Sequence, residues 1–171
     1  MFKSIPGFSK KYTVSKSGKV KGPRKILKPQ HSDNGYETVF VIDKDGKTVR
    51  RKVSRLLALA WIRNPNPDEA IYVDHINRKR LQNTVDNLRW IDAVCNNLNN
   101  DSDGCYETTN IKKPFRARVQ VDGQTIQLGY YKTRAQASRV AKEVRESILN
   151  IRLRALYYEP HRMFDDLLRI E

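Results

Sequence analysis

The most regular pattern of apolar and polar positions lies in the C-terminal half of the chain. Phe115–Val121 alternates strictly between apolar and polar residues, which predicts a half-buried strand. Asp122-Gly123 predicts a tight hairpin turn, after which Thr125–Gly129 returns as a second strand. Thr133 is a suitable N-cap for the helix that follows. Apolar or small residues recur there with helical spacing at Ala137, Val140, Ala141, Val144 and Ile148. The pattern predicts three strands and one helix.

The N-terminal part of the chain has short apolar runs separated by turn residues. The runs are Tyr12–Ser15, Lys19–Lys21, Tyr36–Ile42 and Thr48–Val53. Asp43–Gly46 between the last two predicts a hairpin. A helical spacing of apolar residues then begins, at Val53, Leu56, Leu57, Ala60 and Trp61. We therefore expect a small β-rich module followed by a helix that ends before Pro65, with its apolar face in the core.

The middle of the chain predicts a strand, a long loop, a second short strand and a helix. These elements are Ala70–Asp74, residues 76–86, Leu88–Ile91 and a helix with Asp92 as its N-cap. Asn96 lies four residues after Asp92, about one turn into that helix. At that position Asn96 lies on a face of the helix that can point toward the strand that carries Asp74.

Four polar residues of this middle stretch suit the hydrolysis of a phosphodiester bond. Asp74 and Asn96 offer carboxylate and amide oxygens, which hard divalent cations prefer. His75 is neutral near physiological pH and can accept a proton from water. Asn87 suits a clamp better than a ligand, because its amide can bond backbone groups of the long loop. An isolated Asp-His pair is common on protein surfaces and is weak evidence of catalysis. The prediction therefore depends on all four residues and their order in the sequence.

The order Asp-His, polar loop, Asn-Leu-Arg-Trp and then Asn resembles the HNH nuclease motif. The variant is the one with Asn at the last position, found in phage homing endonucleases. The resemblance implies that His75 is the general base, Asn87 the central Asn, and Asp74 with Asn96 the metal pair. It also implies one Mg²⁺ or Mn²⁺ ion per active site. The loop departs from the family, since Arg78-Lys79 stands where Gly, Asp or Asn is frequent.

The charge of the chain points to a polyanionic partner. The formal net charge is +14 and the isoelectric point is near 9.9. Residues 1–52 carry fourteen Lys or Arg against four Asp or Glu, whereas residues 53–100 carry six against five. Such a charge is typical of proteins that bind nucleic acid. The HNH resemblance implies that the partner is double-stranded DNA. Arg50, Arg51, Lys52 and Arg55 lead toward the predicted site and are predicted phosphate contacts, the alternative being a merely solvated basic face.

Several other classes of protein do not fit the sequence. No apolar run reaches the length of a membrane span, and the basic N-terminus lacks the apolar stretch of a signal peptide. We therefore expect no membrane partner and a cytoplasmic protein of a phage-infected host cell. Cys95 and Cys105 stand ten residues apart with no Cys-x-x-Cys pair. A structural zinc site is not expected, and a disulfide is disfavoured in a reducing compartment.

The two ends of the predicted nuclease resemble DNA-binding modules. The opening residues resemble the small module that precedes HNH domains in phage endonucleases, with Phe2 at the position of the usual Trp. The matching residues are Ile5–Phe8, Tyr12, Val14–Ser15, Gly18 and Val20. The C-terminal pattern resembles the APETALA2-type DNA-binding domain, with Phe115 at a position that is Trp in plant members. The matching residues are Gly104, Tyr106, Phe115–Arg118, Leu128–Tyr131, Thr133, Ala135, Ala137 and Ala141.

The APETALA2-type resemblance implies that one face of the three-stranded sheet lies in the major groove. Arg116, Arg118 and Gln120 are on the polar face of the alternating strand, and Arg and Gln are the residue types that read guanine and adenine edges. The alternative is that these Arg residues serve solubility alone. Recognition of structured RNA would need aromatic stacking platforms, and the strands are not expected to expose aromatic residues.

The predicted fold class is α+β, with a β-rich N-terminal module, a ββα-metal HNH nuclease core and a C-terminal three-stranded antiparallel sheet packed on a helix. The four segments are a basic DNA-binding module at 1–52, the nuclease domain with its bracing helix at 53–100, an APETALA2-like domain at 104–148 and a helical tail at 149–171. Apolar residues in the tail either cap the module or mediate self-association. They are Met163, Phe164, Leu167, Leu168 and Ile170.

The predicted function is an HNH endonuclease that hydrolyses a phosphodiester bond in duplex DNA. A single constellation of site residues and two different binding modules favour a monomer that nicks one strand. The family resemblance implies a homing endonuclease, either intron-encoded or free-standing. The alternatives are a dimeric double-strand cutter and a non-catalytic, sequence-specific DNA-binding regulator.

Overall fold

The computed structural model describes residues 1–157, which divide into two compact units. The first unit comprises Met1–Asn64 and Ile71–Trp90, and the second comprises Pro65–Ala70 and the described residues from Ile91 onward. The mixed α and β character predicted from sequence is confirmed, with several small sheets and few helices. The predicted division into four segments has other boundaries, because residues 65–70 and 91–100 of the predicted nuclease segment belong to the second unit. As functional modules the four segments stay predictions.

The first unit contains two small antiparallel sheets. The first sheet is formed by β1 (Phe2–Ser4), β2 (Thr13–Ser15) and β3 (Val20–Lys21), and the second by β4 (Gln30–His31), β5 (Glu37–Ile42) and β6 (Thr48–Lys52). In both sheets the middle strand in sequence is also the central one. The turn between β5 and β6 is the predicted hairpin. Asp43 Oδ1 accepts hydrogen bonds from the backbone N–H of Asp45 and Lys47, and Gly46 has a φ of 80°.

A helix, α1 (Val53–Trp61), packs on both sheets and joins them into one core. It ends before Pro65, as its apolar spacing predicts. The shared core explains why the strands of 1–52 and the predicted bracing helix belong to one compact unit. Its buried members are Ile5, Tyr12, Val14, Val20, Val39, Val41, Val53, Leu56, Leu57, Ala60 and Leu88. The indole of Trp61 adds a polar tie by donating to the carbonyl of Val14 at 2.9 Å.

The candidate site begins on a two-stranded sheet made of β7 (Tyr72–His75) and β8 (Leu88–Ile91). The loop between the two strands ends in a short 3-10 turn, Val85–Asn87. The predicted order of strand, loop and strand is therefore present. The first strand starts and ends slightly later than the predicted Ala70–Asp74, so that His75 is its last residue.

The second unit contains a three-stranded antiparallel sheet with a long helix on one face. Its elements are α2 (Ala93–Leu98), β9 (Cys105–Glu107), β10 (Phe115–Val121), β11 (Gln124–Tyr131) and α3 (Arg134–Tyr157). β10 is the central strand, and Asp122 and Gly123 turn it into β11 with φ values of 50° and 76°. Thr133 caps α3 as predicted, because its Oγ1 accepts from the N–H of Gln136.

The face of the sheet that packs on α3 is the predicted apolar face of β10. Ala117 and Val119 are buried against Ala137, Ala141 and other apolar residues of the helix. No helix within residues 1–157 is both long and apolar enough to cross a membrane. The part of the predicted helical tail that carries Met163, Phe164, Leu167, Leu168 and Ile170 lies outside the described residues. Cys95 and Cys105 are both buried free thiols.

Substituting Gly104 by Ala should weaken the packing between the sheet and α3. Gly104 has a φ of 64°, and a Cβ there would lie 2.5 Å from the Cβ of Ala141 and 3.0 Å from the carbonyl oxygen of Arg118. We expect the free energy of unfolding in urea to fall by about 2–5 kcal/mol, from backbone strain and steric overlap together.

Gly123→Ala is the matched control for this substitution. Gly123 has a φ of 76° with no neighbouring atom within 4 Å of an added Cβ. Only backbone strain then applies, which costs about 1–2 kcal/mol. Equal losses for the two variants would contradict the close packing of Gly104 on α3.

Candidate active site

Asp74 and His75 are the last two residues of β7, and both are buried, at 8% and 4% exposure. The carboxylate of Asp74 is paired with Arg89 of β8, whose Nε and Nη2 both lie 2.9 Å from Oδ2. The neighbouring strand thus fixes the orientation of the predicted metal ligand. A carboxylate has about four lone-pair sites, so this ion pair does not exhaust its capacity to accept.

Asn87 holds the long loop that follows His75. Its Oδ1 accepts from the N–H of Asn77 at 3.1 Å, and its Nδ2 donates to the carbonyl of Gln82 at 2.9 Å. Its own carbonyl accepts from the N–H of Ile76 at 2.8 Å. These contacts confirm the predicted clamp, since one amide bridges two points of the loop backbone. Participation of Asn87 in catalysis stays a prediction.

The loop turns at Arg78, the position where the sequence departs from its family. Arg78 has a φ of 63°, in the left-handed region that Gly, Asp and Asn adopt more readily. Its N–H donates to the carbonyl of His75 at 2.8 Å. The tight turn is therefore formed with Arg at a cost in backbone strain, and Asn87 holds the chain on either side.

The imidazole of His75 is held by Asn83, and Asn83 is held by Glu37. The sequence pattern indicates a role for neither residue. Nε2 of His75 lies 3.1 Å from Oδ1 of Asn83, and Nδ2 of Asn83 donates to Oε2 of Glu37 at 2.8 Å. Glu37 and Asn83 are 46 residues apart. The only local signal is that Asn83 lies in the loop after His75. Nothing in the sequence around Glu37 indicates that β5 reaches this loop.

The surroundings of His75 favour its neutral form. Burial lowers the pKa of His75, the hydrogen bond with Asn83 and the charge of Asp74 oppose this, and the positive charges of Lys52 and Arg80 lower it further. The net effect is a pKa below the ordinary histidine value. At physiological pH the imidazole is then unprotonated at one nitrogen and able to accept a proton.

Positively charged groups gather beside this imidazole around the ring of Tyr36. The ring centre of Tyr36 is 6.0 Å from that of His75, and Lys52 Nζ lies over the Tyr36 ring at 3.5 Å. Arg80 lies 5.1 Å from the same ring, and its guanidinium donates to the carbonyl of Asn34 at 2.8 Å. Burial and the neighbouring charge of Arg80 lower the pKa of Lys52. The arrangement concentrates positive charge next to the candidate base.

The other predicted phosphate contacts of this unit have different surroundings. Arg50 and Arg51 are exposed on β6, and Nε of Arg50 donates to Oγ1 of Thr38 at 2.9 Å. Arg55 is half-buried, with its guanidinium 4.5 Å from the ring of Trp90 and a hydrogen bond to the carbonyl of Ile71. Burial lowers the pKa of Arg55. Contact of these residues with DNA stays a prediction.

Asn96, the second predicted metal ligand, is an exposed residue of α2 in the second unit. Asp92 caps that helix as predicted, because its Oδ1 accepts from the N–H of Cys95 at 2.7 Å and its Oδ2 from Nε of Arg152 at 3.1 Å. Burial raises the pKa of Asp92, but the hydrogen bonds from Cys95 and the charge of Arg152 outweigh it and lower the pKa. The pairing of Asn96 with Asp74 stays a prediction. Within residues 1–157 no three His, Cys, Asp or Glu side chains form a metal-binding group.

The outer face of the C-terminal sheet carries the predicted base-reading residues. Arg116 of β10 is paired with Tyr106 on one side and Tyr130 on the other, and Arg118 is paired with Gln127. The guanidinium of Arg118 lies 3.6 Å from the ring centre of Tyr106. Nε of Arg116 is buried without a hydrogen-bond partner, and Gln120 is exposed.

This face corrects the expectation that the strands expose no aromatic residues. Tyr106 is 38% exposed and Tyr130 is 49% exposed. The alternation of apolar and polar residues predicts which side chains of β10 lie on this face. It does not do so for β9, which is short, or for β11, which is irregular. β11 has a bulge at Leu128-Gly129, opposite Ala117 and Arg118, which shifts the register of its side chains. Tyr130 lies beside Arg116 through that register, whereas Tyr106 lies there through the pairing of β9 with β10.

Comparisons with known proteins find similarity to nucleases. Residues 2–42 match the model of the NUMOD4 motif. Two uncharacterized HNH endonucleases of Acanthamoeba polyphaga mimivirus are 39% identical over 97 residues and 35% identical over 83 residues, covering 54% and 46% of this chain. DNA endonuclease I-HmuI of Bacillus phage SP01 is 32% identical over 114 residues, or 66% of this chain. The chain is thus similar to HNH endonucleases, as its central motif indicates.

The matches cover only part of the relatives. The chain spans 24% of the length of each mimivirus protein and 62% of I-HmuI. A solved structure of DNA binding and cleavage by the HNH homing endonuclease I-HmuI aligns with a TM-score of 0.48 and 30% identity, over 54% of this chain and 52% of that one. The NUMOD4 match covers the predicted N-terminal module. The APETALA2-type domain stays a resemblance.

Proposed function

We propose that the chain is an HNH endonuclease that hydrolyses a phosphodiester bond of duplex DNA with a divalent metal ion. The observation that carries the proposal is the setting of His75, a buried imidazole with a lowered pKa, held by Asn83 on a loop clamped by Asn87. The similarity to HNH endonucleases supports the same reaction class. A histidine in such a setting can accept a proton from water.

Under the proposal, the two predicted ligands have the donor chemistry that suits a hard divalent cation. Asp74 has a carboxylate and Asn96 an amide oxygen, the donor types that Mg²⁺ and Mn²⁺ prefer. Their pairing on one ion is a prediction from the motif. A bound Mg²⁺ or Mn²⁺, one per active site, would neutralise negative charge that develops on the phosphate. Arg89 holds the Asp74 carboxylate in place through a paired contact.

Under the proposal, the residues of the site have different roles in hydrolysis. His75 accepts the proton of the attacking water. Asn87 holds the loop that follows His75, because its amide forms hydrogen bonds with two points of the loop backbone. Lys52 and Arg80 favour the approach of a phosphate, since both place positive charge beside the imidazole. Burial is the main cause of the lowered pKa of His75, and the charges of Lys52 and Arg80 add to it. These two residues therefore both attract the substrate and favour the neutral form of the base.

Under the proposal, a surface of each unit contacts DNA. The basic face of β6, with Arg50 and Arg51, contacts phosphates of the backbone. The outer face of the C-terminal sheet reads bases, in the manner that the APETALA2-type resemblance implies. A site-specific reader with one active centre fits a homing endonuclease in the cytoplasm of a phage-infected cell.

Substituting Arg116 or Arg118 by Ala should weaken binding to the preferred DNA sequence by about 1–3 kcal/mol each. The reason is that an Arg which reads a base loses bonds that only one base offers, whereas a phosphate contact is lost equally on every sequence. Gel-shift titration with the selected sequence and with scrambled DNA separates the two cases. Arg139→Ala is the control, since Arg139 lies exposed on α3. Unchanged affinity for all DNA would exclude the sheet as a reading surface.

We further propose that the enzyme acts as a monomer and nicks one strand. Its two DNA-binding faces differ from each other, whereas dimeric cutters read repeated half-sites with one patch twice. The test begins with selection of the bound sequence from random duplexes and its insertion into a supercoiled plasmid. With Mg²⁺ the open circle should form first, at a rate proportional to enzyme. Prompt linear product with second-order dependence indicates a dimeric cutter, and no cleavage with Mg²⁺ or Mn²⁺ indicates a DNA-binding regulator.

A further inference from the structure

We propose that Glu37, acting through Asn83, is a positioning residue that determines which ring nitrogen of His75 carries the proton. The inference rests on the proposed function, because the tautomer matters only if His75 is the base. It assigns a role in the active site to the segment that matches the NUMOD4 motif, since Glu37 lies within residues 2–42. That module then does more than bind DNA.

The direction of the hydrogen bonds follows from the chemistry of the three groups. A carboxylate only accepts, so Asn83 must turn its Nδ2 toward Oε2 of Glu37, at 2.8 Å. Its Oδ1 then faces Nε2 of His75, at 3.1 Å, and an amide oxygen also only accepts. Nε2 of His75 must therefore donate, so the neutral imidazole carries its proton there. In that tautomer the lone pair of the neutral ring is on Nδ1, and under the proposed function Nδ1 is the nitrogen that accepts the proton of water.

The N-terminal sheets contact the backbone around Asn83 and hold Asn83 between Glu37 and His75. Gly18, in the turn between β2 and β3, lies so close that a Cβ there would be 2.7 Å from the carbonyl oxygen of Asn83 and 2.9 Å from its Cβ. The carbonyl of Lys16 accepts from the N–H of Val85 at 3.1 Å. Glu37 is paired with His31 across β4 and β5. The N-terminal sheets thus hold both the carboxylate and the loop that presents Asn83.

Histidine tautomers are fixed by the partner of the second nitrogen, and loss of such a partner costs about ten- to a hundredfold in activity. Glu37→Gln is the most informative change. Glutamine has the same shape but presents either a donor or an acceptor to Asn83, so the amide can turn over. Asn83 then offers His75 either an oxygen or an NH₂ group. We expect a mixture of the two His75 tautomers in place of one.

The first experiment reads the tautomer directly, on the full chain without metal or DNA. Nitrogen NMR of isotope-labelled histidine at about pH 8.5, where imidazoles are neutral, distinguishes the protonated from the unprotonated ring nitrogen. The His75 resonances are identified by their loss in His75→Ala. The wild-type chain should show the proton on Nε2, and Glu37→Gln should show both forms. A proton on Nδ1 in the wild type, or an unchanged single tautomer in Glu37→Gln, overturns the inference.

The second experiment measures cleavage. Glu37→Gln should lower the single-turnover rate by about ten- to a hundredfold with unchanged DNA affinity. Asp45→Asn makes the same change of charge on an exposed turn of the same module and should leave the rate unaltered. In an Asn83→Ala background Glu37→Gln should have no further effect, because the connection is already broken. Additive losses would show instead that Glu37 only stabilises the fold.

The two experiments separate failure of this inference from failure of the proposed function. The NMR result does not depend on nuclease activity, so the tautomer can be established even if the chain does not cut DNA. If the chain cuts DNA and the tautomer is indifferent to Glu37, the proposed function stands and the positioning role is wrong.

Discussion

Replacing His75 with Ala should reduce DNA cleavage by at least about a hundredfold while leaving DNA binding intact. His75 is nearly fully buried, and its surroundings hold its pKa below the ordinary histidine value, so the wild-type imidazole is an available proton acceptor. Alanine leaves no group at this place to accept a proton from water. The basic residues that attract DNA, such as Lys52 and Arg80, remain.

The measurement is a single-turnover rate with Mg²⁺ on plasmid that carries the selected sequence, with affinity obtained separately by gel shift. His31→Ala is the matched control, because His31 is an exposed histidine of β4 in the same unit. That variant should cut at the wild-type rate. A wild-type rate for His75→Ala would show that another group is the base.

Asp74→Ala should abolish metal-dependent cleavage, because a bound cation contributes several kcal/mol of charge stabilisation in the transition state. The same change removes the partner of Arg89, whose Nε and Nη2 both lie 2.9 Å from the carboxylate. We therefore expect a lower free energy of unfolding as well, by about 1–3 kcal/mol. Cleavage is followed over a titration of Mg²⁺, and stability is followed by urea unfolding.

Arg89→Met separates these two effects of Asp74→Ala. It breaks the same ion pair but keeps the carboxylate, and Met fills much of the space of the Arg stem. We expect a similar loss of stability, with metal-dependent cleavage still present. If Arg89→Met abolishes cleavage and Asp74→Ala retains it at high Mg²⁺, the assignment of Asp74 as metal ligand is wrong.

Local pattern predicts the elements of this protein well because the signals are local. The alternation of Phe115–Val121 produces a strand with Ala117 and Val119 buried, and the apolar spacing from Val53 produces α1. Asp92 caps α2 and Thr133 caps α3 because each side chain reaches an N–H only three residues away. Such contacts need no knowledge of distant parts of the chain.

The clamp of Asn87 is also predictable, since its amide bonds groups within the loop that it terminates. Asn77 and Gln82 are ten and five residues away from it. The motif order from Asp74 to Asn96 is likewise visible in sequence, and with it the class of chemistry. The motif order does not indicate which group holds the imidazole of His75. It also does not indicate which charges surround that imidazole.

Local sequence predicts most of the strands and helices in their order, the loop clamp and the candidate base, but it predicts neither β1 nor β4, which have only three and two residues. The tertiary structure alone decided that Glu37 reaches Asn83, 46 residues away, and that Lys52 and Arg80 stand beside the ring of Tyr36. It also decided, through the bulge in β11, that Tyr130 flanks Arg116. The physical reason is that periodicity reports only which face of an element is buried. Contacts between elements depend on how sheets pack and on strand register, which one local stretch does not encode.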